Sequence, residues 1–286
     1  MPSAKAGPIT YEPLVRWIEL SRGRVRVAKY GHGSPLLLIN GIGAGLETWR
    51  PLARWLGDSC RSIFFEVPGS GASPTLRRPL RMPALARLLT ELLNALGERQ
   101  VDVLGYSWGG ALAQQLAHDA PDRVRRLVLI STGPGLGGRP PSPLALAVMS
   151  SPFGYLPGGY LPWLSPMIYG GDMLRSGRPG RARIELQLAH PVSRLGYALQ
   201  MYAILGWSSL PWLHKVRQPT LVIGGDDDPL VPVRNARILA HRIPHARLNV
   251  VPGGGHLWML EHPELCAALI AAFLSAPVDN HPLSTK

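Results

Sequence analysis

The stretch VDVLGYSWGGALAQQLAHDA, at residues 101–120, decides the fold. It opens with a short apolar run, typical of a strand buried on both faces, and continues from Ser107 with the apolar spacing of a helix. The junction GYSWG (105–109) matches G-x-S-x-G, a sharp strand-to-helix turn that exposes a serine hydroxyl at the carboxyl edge of a sheet. Its glycines are needed because neighbouring backbone comes close there. The stretch therefore predicts a strand, a strained turn with Ser107 as candidate nucleophile, and a helix.

Short apolar runs alternate with helical patterns on both sides of this stretch. The other predicted strands are RVRVAKY (24–30), PLLLIN (35–40), SIFFEV (62–67), RLVLIS (126–131), TLVIG (220–224) and LNVV (248–251). The predicted helices cover Thr48–Gly57, Pro83–Gly97, Ser107–Ala120, Val233–Arg242 and Pro263–Ser275. Because strands that alternate with helices form a mostly parallel central sheet flanked by helices, we predict an α/β fold.

Residues 133–215 interrupt this alternation. They hold eleven of the 29 prolines, four of the seven methionines and nine of the twenty aromatic residues. A long insertion between two sheet units is typical of a cap or lid, and its aromatic side chains either form a small core of their own or line an apolar pocket. We therefore predict a core domain of residues 1–132 and 216–286, with an inserted cap at 133–215.

A serine is a weak nucleophile on its own and needs a base, which in turn needs an acid to orient it. In this architecture the acid follows a late strand and the histidine follows the last one. The sequence places Asp226, Asp227 and Asp228 after TLVIG, and it places His256 behind three glycines after LNVV. We expect His256 to be the base, while the residues alone leave the choice among the three aspartates open.

Other interpretations of the histidines and aspartates are weaker. His245 and His262 lie in a loop or at a helix start, and His118 lies near the end of a helix, where interaction with the helix dipole is the expected role. The aspartates lack the D-x-D-x-D-G spacing of a calcium loop, and three adjacent carboxylates cannot all face one ion. We expect neither a metal ion nor a cofactor.

Acyl transfer through a serine also needs donors for the negative charge on the carbonyl oxygen. One donor is expected from the backbone N–H after the nucleophile, which belongs to Trp108. The second is expected in the glycine-rich loop INGIGAG (39–45) after an early strand, with the N–H of Ile42 as the candidate. We therefore predict that Ile42 and Trp108 form an oxyanion hole.

Composition narrows the function classes further. The chain has 286 residues, and 30 basic against 18 acidic residues give a net charge of +12. The bases are scattered and no zinc-finger or aromatic RNA-binding motif is present, so we expect no nucleic-acid partner. No secretory signal and no run of 18 apolar residues is visible, which predicts a cytoplasmic protein without a transmembrane segment. Cys60 and Cys266 are too few for a disulfide framework and are expected to be buried free thiols.

These motifs, in this order, resemble the α/β-hydrolase superfamily over about residues 24–275. NGIG is similar to the family's His-Gly-x-x oxyanion loop, with Asn40 where histidine is commoner, and VPGSGAS (67–73) resembles its P-G-x-G-x-S loop. Glu66 precedes that loop where the family usually has Asp, a difference that we expect to affect loop structure rather than chemistry. GGDDDPLVP resembles a stretch whose second paired Asp, three residues after the glycine, is the triad acid. Carried over from Gly225, the resemblance implies Asp228.

Longer segments are similar to the intracellular poly(3-hydroxyalkanoate) depolymerases, in particular those that act on medium-chain-length polyesters. They are NGIGAGLE, GYSWGGALAQQLAHDAP, MIYGGD, GWSSLPWLHKVRQPTLVIGGDDDPLVP and GGGHLW. MIYGGD and GWSSLPWLHK lie in or beside the predicted cap, where superfamily members diverge, so they are more specific than the turn around Ser107. The resemblance implies a serine hydrolase that cuts ester bonds in a hydrophobic storage polyester without a cofactor.

The same resemblance leaves other functions open. A carboxylesterase or lipase for soluble or emulsified esters would carry the same triad, as would a carbon–carbon-bond hydrolase, and a catalytically inactive ligand receptor could share the fold. The expected partner is a hydrophobic ester or polyester, with the polymer granule surface as a second candidate. Four arginines of the predicted cap could face an anionic granule, although a solvated face is the simpler interpretation: Arg175, Arg178, Arg181 and Arg183.

Overall fold

One eight-stranded sheet forms the centre of the computed structural model, which describes residues 13–57, 59–76, 78–150, 161–176 and 193–277. The strands are β1 (Leu14–Leu20), β2 (Gly23–Tyr30), β3 (Pro35–Ile39), β4 (Arg61–Phe65), β5 (Val101–Tyr106), β6 (Val124–Ile130), β7 (Thr220–Gly225) and β8 (Ala246–Val251). Their order across the sheet is β1-β2-β4-β3-β5-β6-β7-β8. From β4 to β8 every neighbouring pair is parallel, and only β2 pairs antiparallel with its neighbours. The predicted mostly parallel sheet is therefore confirmed.

Helices connect the strands and cover both faces of the sheet. They are α1 (Arg50–Leu56), α2 (Met82–Ala95), α3 (Trp108–Asp119), α4 (Pro143–Ser150), α5 (Leu161–Tyr169), α6 (Gly171–Ser176), α7 (Arg194–Ile204), α8 (Arg234–Arg242), α9 (Trp258–Glu261) and α10 (Pro263–Ser275). Short 3-10 turns cover Leu46–Trp49, Pro121–Arg123 and Leu213–Lys215. Among the described residues, none of these helices is both long and apolar enough to cross a membrane.

The alternation of side chains along each strand builds two apolar cores, one on each face of the sheet. In β3, Leu37 and Ile39 face the core that α2, α3 and α8 cover, while Leu36 and Leu38 face the core that α1 and α10 cover. All six residues of β5 are buried. Strands covered on both faces are mainly apolar, which is why β3 is a continuous apolar run. In β5 the exception is Asp102, which is buried and paired with the Arg125 guanidinium.

The segment between β6 and β7 contributes α4, α5, α6 and α7, within the range where the sequence predicts a cap. A single bridge between Gly135 and Ser208 brings the two ends of this insertion together. Residues 151–160 and 177–192 of the insertion lie outside the described residues. The division into a core domain and a cap stays a prediction.

Sequence patterning did not predict β1, which forms the edge of the sheet. Its sequence, LVRWIEL, does not alternate apolar with polar residues. The apolar side chains of Leu14, Val15 and Trp17 are exposed, because β1 is the outermost strand. β1 is held by a tight turn into β2, with Leu20 paired to Gly23 across it. Gly23 has φ +131, a backbone conformation that side chains rarely adopt. The strand depends on its hairpin partner, and only its end, at Ile18 and Leu20, packs on the core.

Glu66 holds together the loops that approach the carboxyl edge of the sheet. Its side chain is fully buried and accepts hydrogen bonds from the backbone N–H groups of Leu46, Ala72 and Ser73 at 3.0 to 3.2 Å. The guanidinium of Arg26 lies 3.1 Å from the same carboxylate. These partners all belong to loop structure or its support, as expected for the position where the superfamily usually has Asp.

We predict that Glu66→Gln lowers the free energy of unfolding by about 2–3 kcal/mol, because the amide would turn a donor toward backbone N–H groups and leave Arg26 with one fewer buried charge partner. Urea denaturation would measure this loss. Glu47→Gln is the control, since Glu47 also contacts Arg26 at 3.1 Å but is partly exposed; it should cost less than about 1 kcal/mol. Equal losses in both variants would contradict the role assigned to Glu66.

Candidate active site

Ser107 lies in the turn between β5 and α3 in a strained backbone conformation, with φ 53 and ψ −120. The flanking glycines make this turn possible. A Cβ at Gly105 would lie 2.5 Å from the carbonyl oxygen of Gly109, and a Cβ at Gly109 would collide with the carbonyl oxygens of Ile39 and Asn40. The turn therefore presents the Ser107 hydroxyl at the carboxyl edge of the sheet and at the N-terminus of α3.

Ser107, His256 and Asp228 lie in one hydrogen-bonded row. Ser107 Oγ is 3.0 Å from His256 Nε2, and His256 Nδ1 is 2.8 Å from Asp228 Oδ2. The other oxygen of Asp228 accepts the backbone N–H groups of Leu230 and Val231. Because a carboxylate only accepts, Nδ1 carries a hydrogen, and the neutral ring then leaves Nε2 to accept the serine hydroxyl. This arrangement can remove the hydroxyl proton while the oxygen attacks a carbonyl carbon.

The two preceding aspartates face other partners. Asp226 accepts the backbone N–H of Gly253 at 2.6 Å. Asp227 accepts the backbone N–H of Gly171 at 3.0 Å and lies 3.2 Å from the guanidinium of Arg175. The three neighbouring carboxylates therefore diverge. Asp226 is hydrogen-bonded to the loop that leads to His256, and Asp227 is hydrogen-bonded to the start of α6.

Two tyrosines hold the backbone of His256, and sequence reasoning missed both roles. The Tyr106 hydroxyl donates to the His256 carbonyl at 3.0 Å, and the Tyr169 carbonyl accepts the His256 N–H at 2.6 Å. Their rings lie 5.5 and 6.1 Å from the imidazole, measured between ring centroids. Tyr106 belongs to GYSWG and Tyr169 to MIYGGD, but neither motif shows which distant loop its tyrosine contacts.

The two expected oxyanion donors lie beside Ser107. Ile42, Ser107 and Trp108 all line one cavity of about 370 Å³. Over the described ranges of the chain, the backbone N–H groups of Ile42 and Trp108 find no hydrogen-bond acceptor, so both can bind a ligand oxygen. The wall opposite is mainly apolar and includes Leu136, Leu146, Met149, Met201, Ile204 and Leu230. The site thus combines a candidate nucleophile, two free donors and an apolar pocket.

The segment MIYGGD (167–172) packs directly on the loops that carry His256 and the aspartates. Gly170 and Gly171 both have φ 63, and a Cβ at Gly171 would lie 2.5 Å from the backbone N of Gly255. Asp172 accepts from His262 Nε2 at 2.8 Å. This segment of the insertion therefore forms part of the support of His256.

The segment GWSSLPWLHK (206–215) packs on α3, the helix behind the nucleophile. The indole N–H of Trp207 donates to the Gln115 side chain at 2.7 Å. The ring of Trp212 stacks on His118, with centroids 4.3 Å apart and planes 8° apart. This stacking is a contact that the helix-end position of His118 did not predict.

Arg175, one of the four cap arginines, is half exposed and pairs with acidic groups of this chain. It pairs with Asp172 at 2.5 Å and with Asp227, and it donates to the Gly253 carbonyl at 2.8 Å. The hydrogen bond from Arg175 holds the pKa of Asp172 below its usual value. The other cap arginines named above, Arg178, Arg181 and Arg183, lie outside the described residues.

Both cysteines are buried free thiols, as expected. Burial raises the pKa of Cys60 to about 11, and it raises the pKa of Cys266 as well. A thiol that stays protonated at neutral pH is a poor nucleophile, so neither cysteine competes with Ser107 for that role.

Comparison with known proteins agrees with this fold. The sequence profile of the alpha/beta hydrolase fold family matches residues 34–161 and 186–263. The poly(3-hydroxyalkanoate) depolymerase of Ectopseudomonas oleovorans is 44% identical over 264 residues, which are 91% of this chain and 92% of that protein. The pimeloyl-[acyl-carrier protein] methyl ester esterase of Aromatoleum aromaticum is 35% identical over 82% of this chain and 96% of that protein.

A solved structure of an esterase has a similar fold. The thermophilic esterase from Thermogutta terrifontis superimposes with a TM-score of 0.75 and 25% identity, over 92% of this chain and 98% of that one. The profile match covers well over half of the chain, and two relatives exceed 30% identity over most of their length. The chain therefore belongs to the alpha/beta hydrolase fold family.

Proposed function

We propose that this chain, a carboxylic ester hydrolase of the alpha/beta hydrolase fold family, cleaves the ester bonds of a hydrophobic polyester, poly(3-hydroxyalkanoate), through Ser107, His256 and Asp228. The observation that carries the proposal is the hydrogen-bonded row of these three side chains, with Ser107 opening into an apolar cavity. The 44% identical depolymerase supports the choice of substrate.

In the first half of the reaction, Ser107 Oγ attacks the ester carbonyl carbon while His256 Nε2 takes the hydroxyl proton. The carbonyl oxygen becomes an oxyanion and accepts the N–H groups of Ile42 and Trp108. Each such donor contributes about 2.7–4 kcal/mol to transition-state stabilisation in serine hydrolases. His256 then gives its proton to the departing alkoxide, and the hydroxyl end of the cleaved chain leaves.

In the second half, water attacks the acyl-enzyme carbonyl and His256 takes a proton from it. The oxyanion forms again and collapses, the Ser107 oxygen leaves with the proton held by His256, and the acid product is released. Asp228 keeps Nδ1–H oriented throughout and stabilises the imidazolium. The backbone N–H groups of Leu230 and Val231 fix the Asp228 carboxylate, so the imidazole is held in one orientation.

The cavity supports a medium-chain acyl side chain. Its volume of about 370 Å³ and its mainly apolar lining leave room for an alkyl side chain beside Ser107. The methionines Met149 and Met201 are flexible, polarisable wall residues that adapt to alkyl chains of varied shape. We therefore include medium-chain-length preference in the proposal.

The cavity mouth supports action at a polymer surface. Leu136 and Leu146 line the cavity and are 69% and 50% exposed, so the apolar wall continues outward to the surface of the protein. Exposed apolar side chains that border a binding cavity mark a contact with an apolar partner. We propose that the insertion at 133–215 acts as the cap over the site and that this rim contacts the polymer granule.

A second candidate function is hydrolysis of small soluble esters. The 35% identical relative is a methyl ester esterase, and the superimposed Thermogutta terrifontis structure is an esterase. The same three residues would serve both functions. The two differ in whether a long polymer strand can reach Ser107 through the cavity mouth.

We predict that the wild-type protein releases 3-hydroxyoctanoate from a poly(3-hydroxyoctanoate) latex and also hydrolyses p-nitrophenyl octanoate, and that Ser107→Ala abolishes both activities. A fluorophosphonate probe, detected by mass spectrometry, should label the wild type at Ser107 and leave Ser107→Ala unlabelled. Equal labelling of both proteins would remove Ser107 as the nucleophile. Turnover of the soluble ester without any release from the latex would leave the esterase function alone.

We predict that Asp228→Asn lowers kcat by roughly 10⁴-fold, because the amide favours the wrong histidine tautomer. The matched control is Asp226→Asn, which changes the carboxylate bound to the Gly253 N–H two residues away and should reduce kcat by less than about tenfold. Steady-state kinetics with p-nitrophenyl octanoate would measure both. A greater loss in Asp226→Asn than in Asp228→Asn would reassign the triad acid.

A further inference from the structure

One buried residue of the insertion contacts both expected oxyanion segments, one through its side chain and the other through its backbone. Gln200 lies on α7 and is 2% exposed. Its Oε1 accepts the backbone N–H of Gly43 at 2.8 Å, and Gly43 follows Ile42 directly. Its backbone carbonyl accepts the indole N–H of Trp108 at 2.9 Å. Gly43, the neighbour of Ile42, and the Trp108 side chain are therefore both hydrogen-bonded to Gln200 of α7.

The orientation of the Gln200 amide is fixed by its partners. A backbone N–H can only donate, so the amide atom facing Gly43 must be the oxygen. The amide nitrogen then faces Ser70 Oγ, to which it donates at 2.6 Å. Ser70 is itself buried, in the loop that follows β4. The amide oxygen and the amide nitrogen are thus both hydrogen-bonded. A flipped amide would place its NH₂ group against the Gly43 N–H, and two donors cannot bond to each other.

The first turn of α7 is packed tightly against the loop that contains Gly69 and Ser70. At its first turn, Gly196 packs so closely on Gly69 that a Cβ at Gly196 would collide with the Gly69 carbonyl. The Ser193 side chain caps the helix by accepting the Gly196 N–H at 3.2 Å. Because α7 rests on the backbone next to Ser70, the backbone of Gln200 is fixed relative to that loop, and the bonds to Gly43 and Ser70 fix its amide.

We propose that Gln200 is a positioning residue for the oxyanion hole, which holds the peptide plane between Ile42 and Gly43 and the Trp108 side chain in place from the insertion. This inference rests on the proposed serine esterase mechanism. It implies that the insertion completes the catalytic geometry and does not only bind the substrate. Gln200 contacts no reacting atom, so its effect passes through Ile42 and Trp108.

The test is Gln200→Met, which keeps the length and volume of the side chain and removes both amide hydrogen bonds. With p-nitrophenyl octanoate, kcat should fall about tenfold while KM stays within about twofold, because the ester in the ground state makes weaker use of the oxyanion donors than the tetrahedral transition state does. The affinity for an alkyl trifluoromethyl ketone, which forms an oxyanion on Ser107, should fall in proportion to kcat/KM.

Gln115→Met is the matched control. Gln115 is also a buried glutamine that joins the core to the insertion, through the indole N–H of Trp207, but it contacts neither Ile42 nor Trp108 in the contacts described above. Its variant should lose thermal stability with kcat and trifluoromethyl ketone affinity within about twofold of wild type. Unchanged kcat in Gln200→Met would overturn the proposal, and so would an equal fall of kcat in both variants.

Ser70→Ala provides a second test if Gln200→Met does not fold. It removes only the hydrogen bond that fixes the amide nitrogen, so kcat should fall about threefold at unchanged KM, with the same loss of trifluoromethyl ketone affinity. An unchanged trifluoromethyl ketone affinity in Ser70→Ala would overturn the proposal. A wild-type protein without any esterase activity would instead contradict the proposed function, so the two failures are distinguishable.

Discussion

The strained backbone at Ser107 is the constraint on which the rest of the site depends. Ser107 has φ 53 at the end of a buried strand. Backbone segments pack closely around this turn, and glycine at 105 and 109 leaves the space that they need. This turn fixes the hydroxyl relative to the sheet, so the two side chains hydrogen-bonded in line with it come from other strand ends. Parallel strands bring those ends to one edge, where Asp228 follows β7 and His256 follows β8.

The parts of the fold that sequence could predict are those whose physical cause is local. The apolar run of β3 and the mainly apolar run of β5 are buried on both faces, and short runs of this length are typical of buried strands. The turn around Ser107 could also be predicted, because backbone sterics require glycine at 105 and 109. The order of nucleophile, acid and base was expected from the architecture, and their roles stay a proposal. The acid itself came from family resemblance, since three adjacent aspartates look alike until their partners are known.

The parts that could not be predicted depend on contacts between distant segments. Contacts to the His256 backbone come from Tyr106 and Tyr169, and the contact to Gly43 comes from Gln200. The local sequence pattern around each of these residues predicts at most a strand or a helix and does not indicate the distant partner. Nothing in the sequence tells which of the buried glutamines bonds to Gly43 and which to Trp207. The edge strand β1 was missed for a similar reason, because it is held mainly by pairing with β2 and most of its side chains are exposed.

The bond between the Tyr169 carbonyl and the His256 N–H restricts how the site can open. It ties the end of α5 to the base, while the Gly171 N–H ties the start of α6 to Asp227. Lifting this flank would release the imidazole from its backbone anchor, so substrate must enter without disturbing it. The cavity wall that includes Leu136 and Leu146 takes part in neither of these bonds. Side chains there can therefore shift to admit a ligand while the imidazole keeps its backbone anchor.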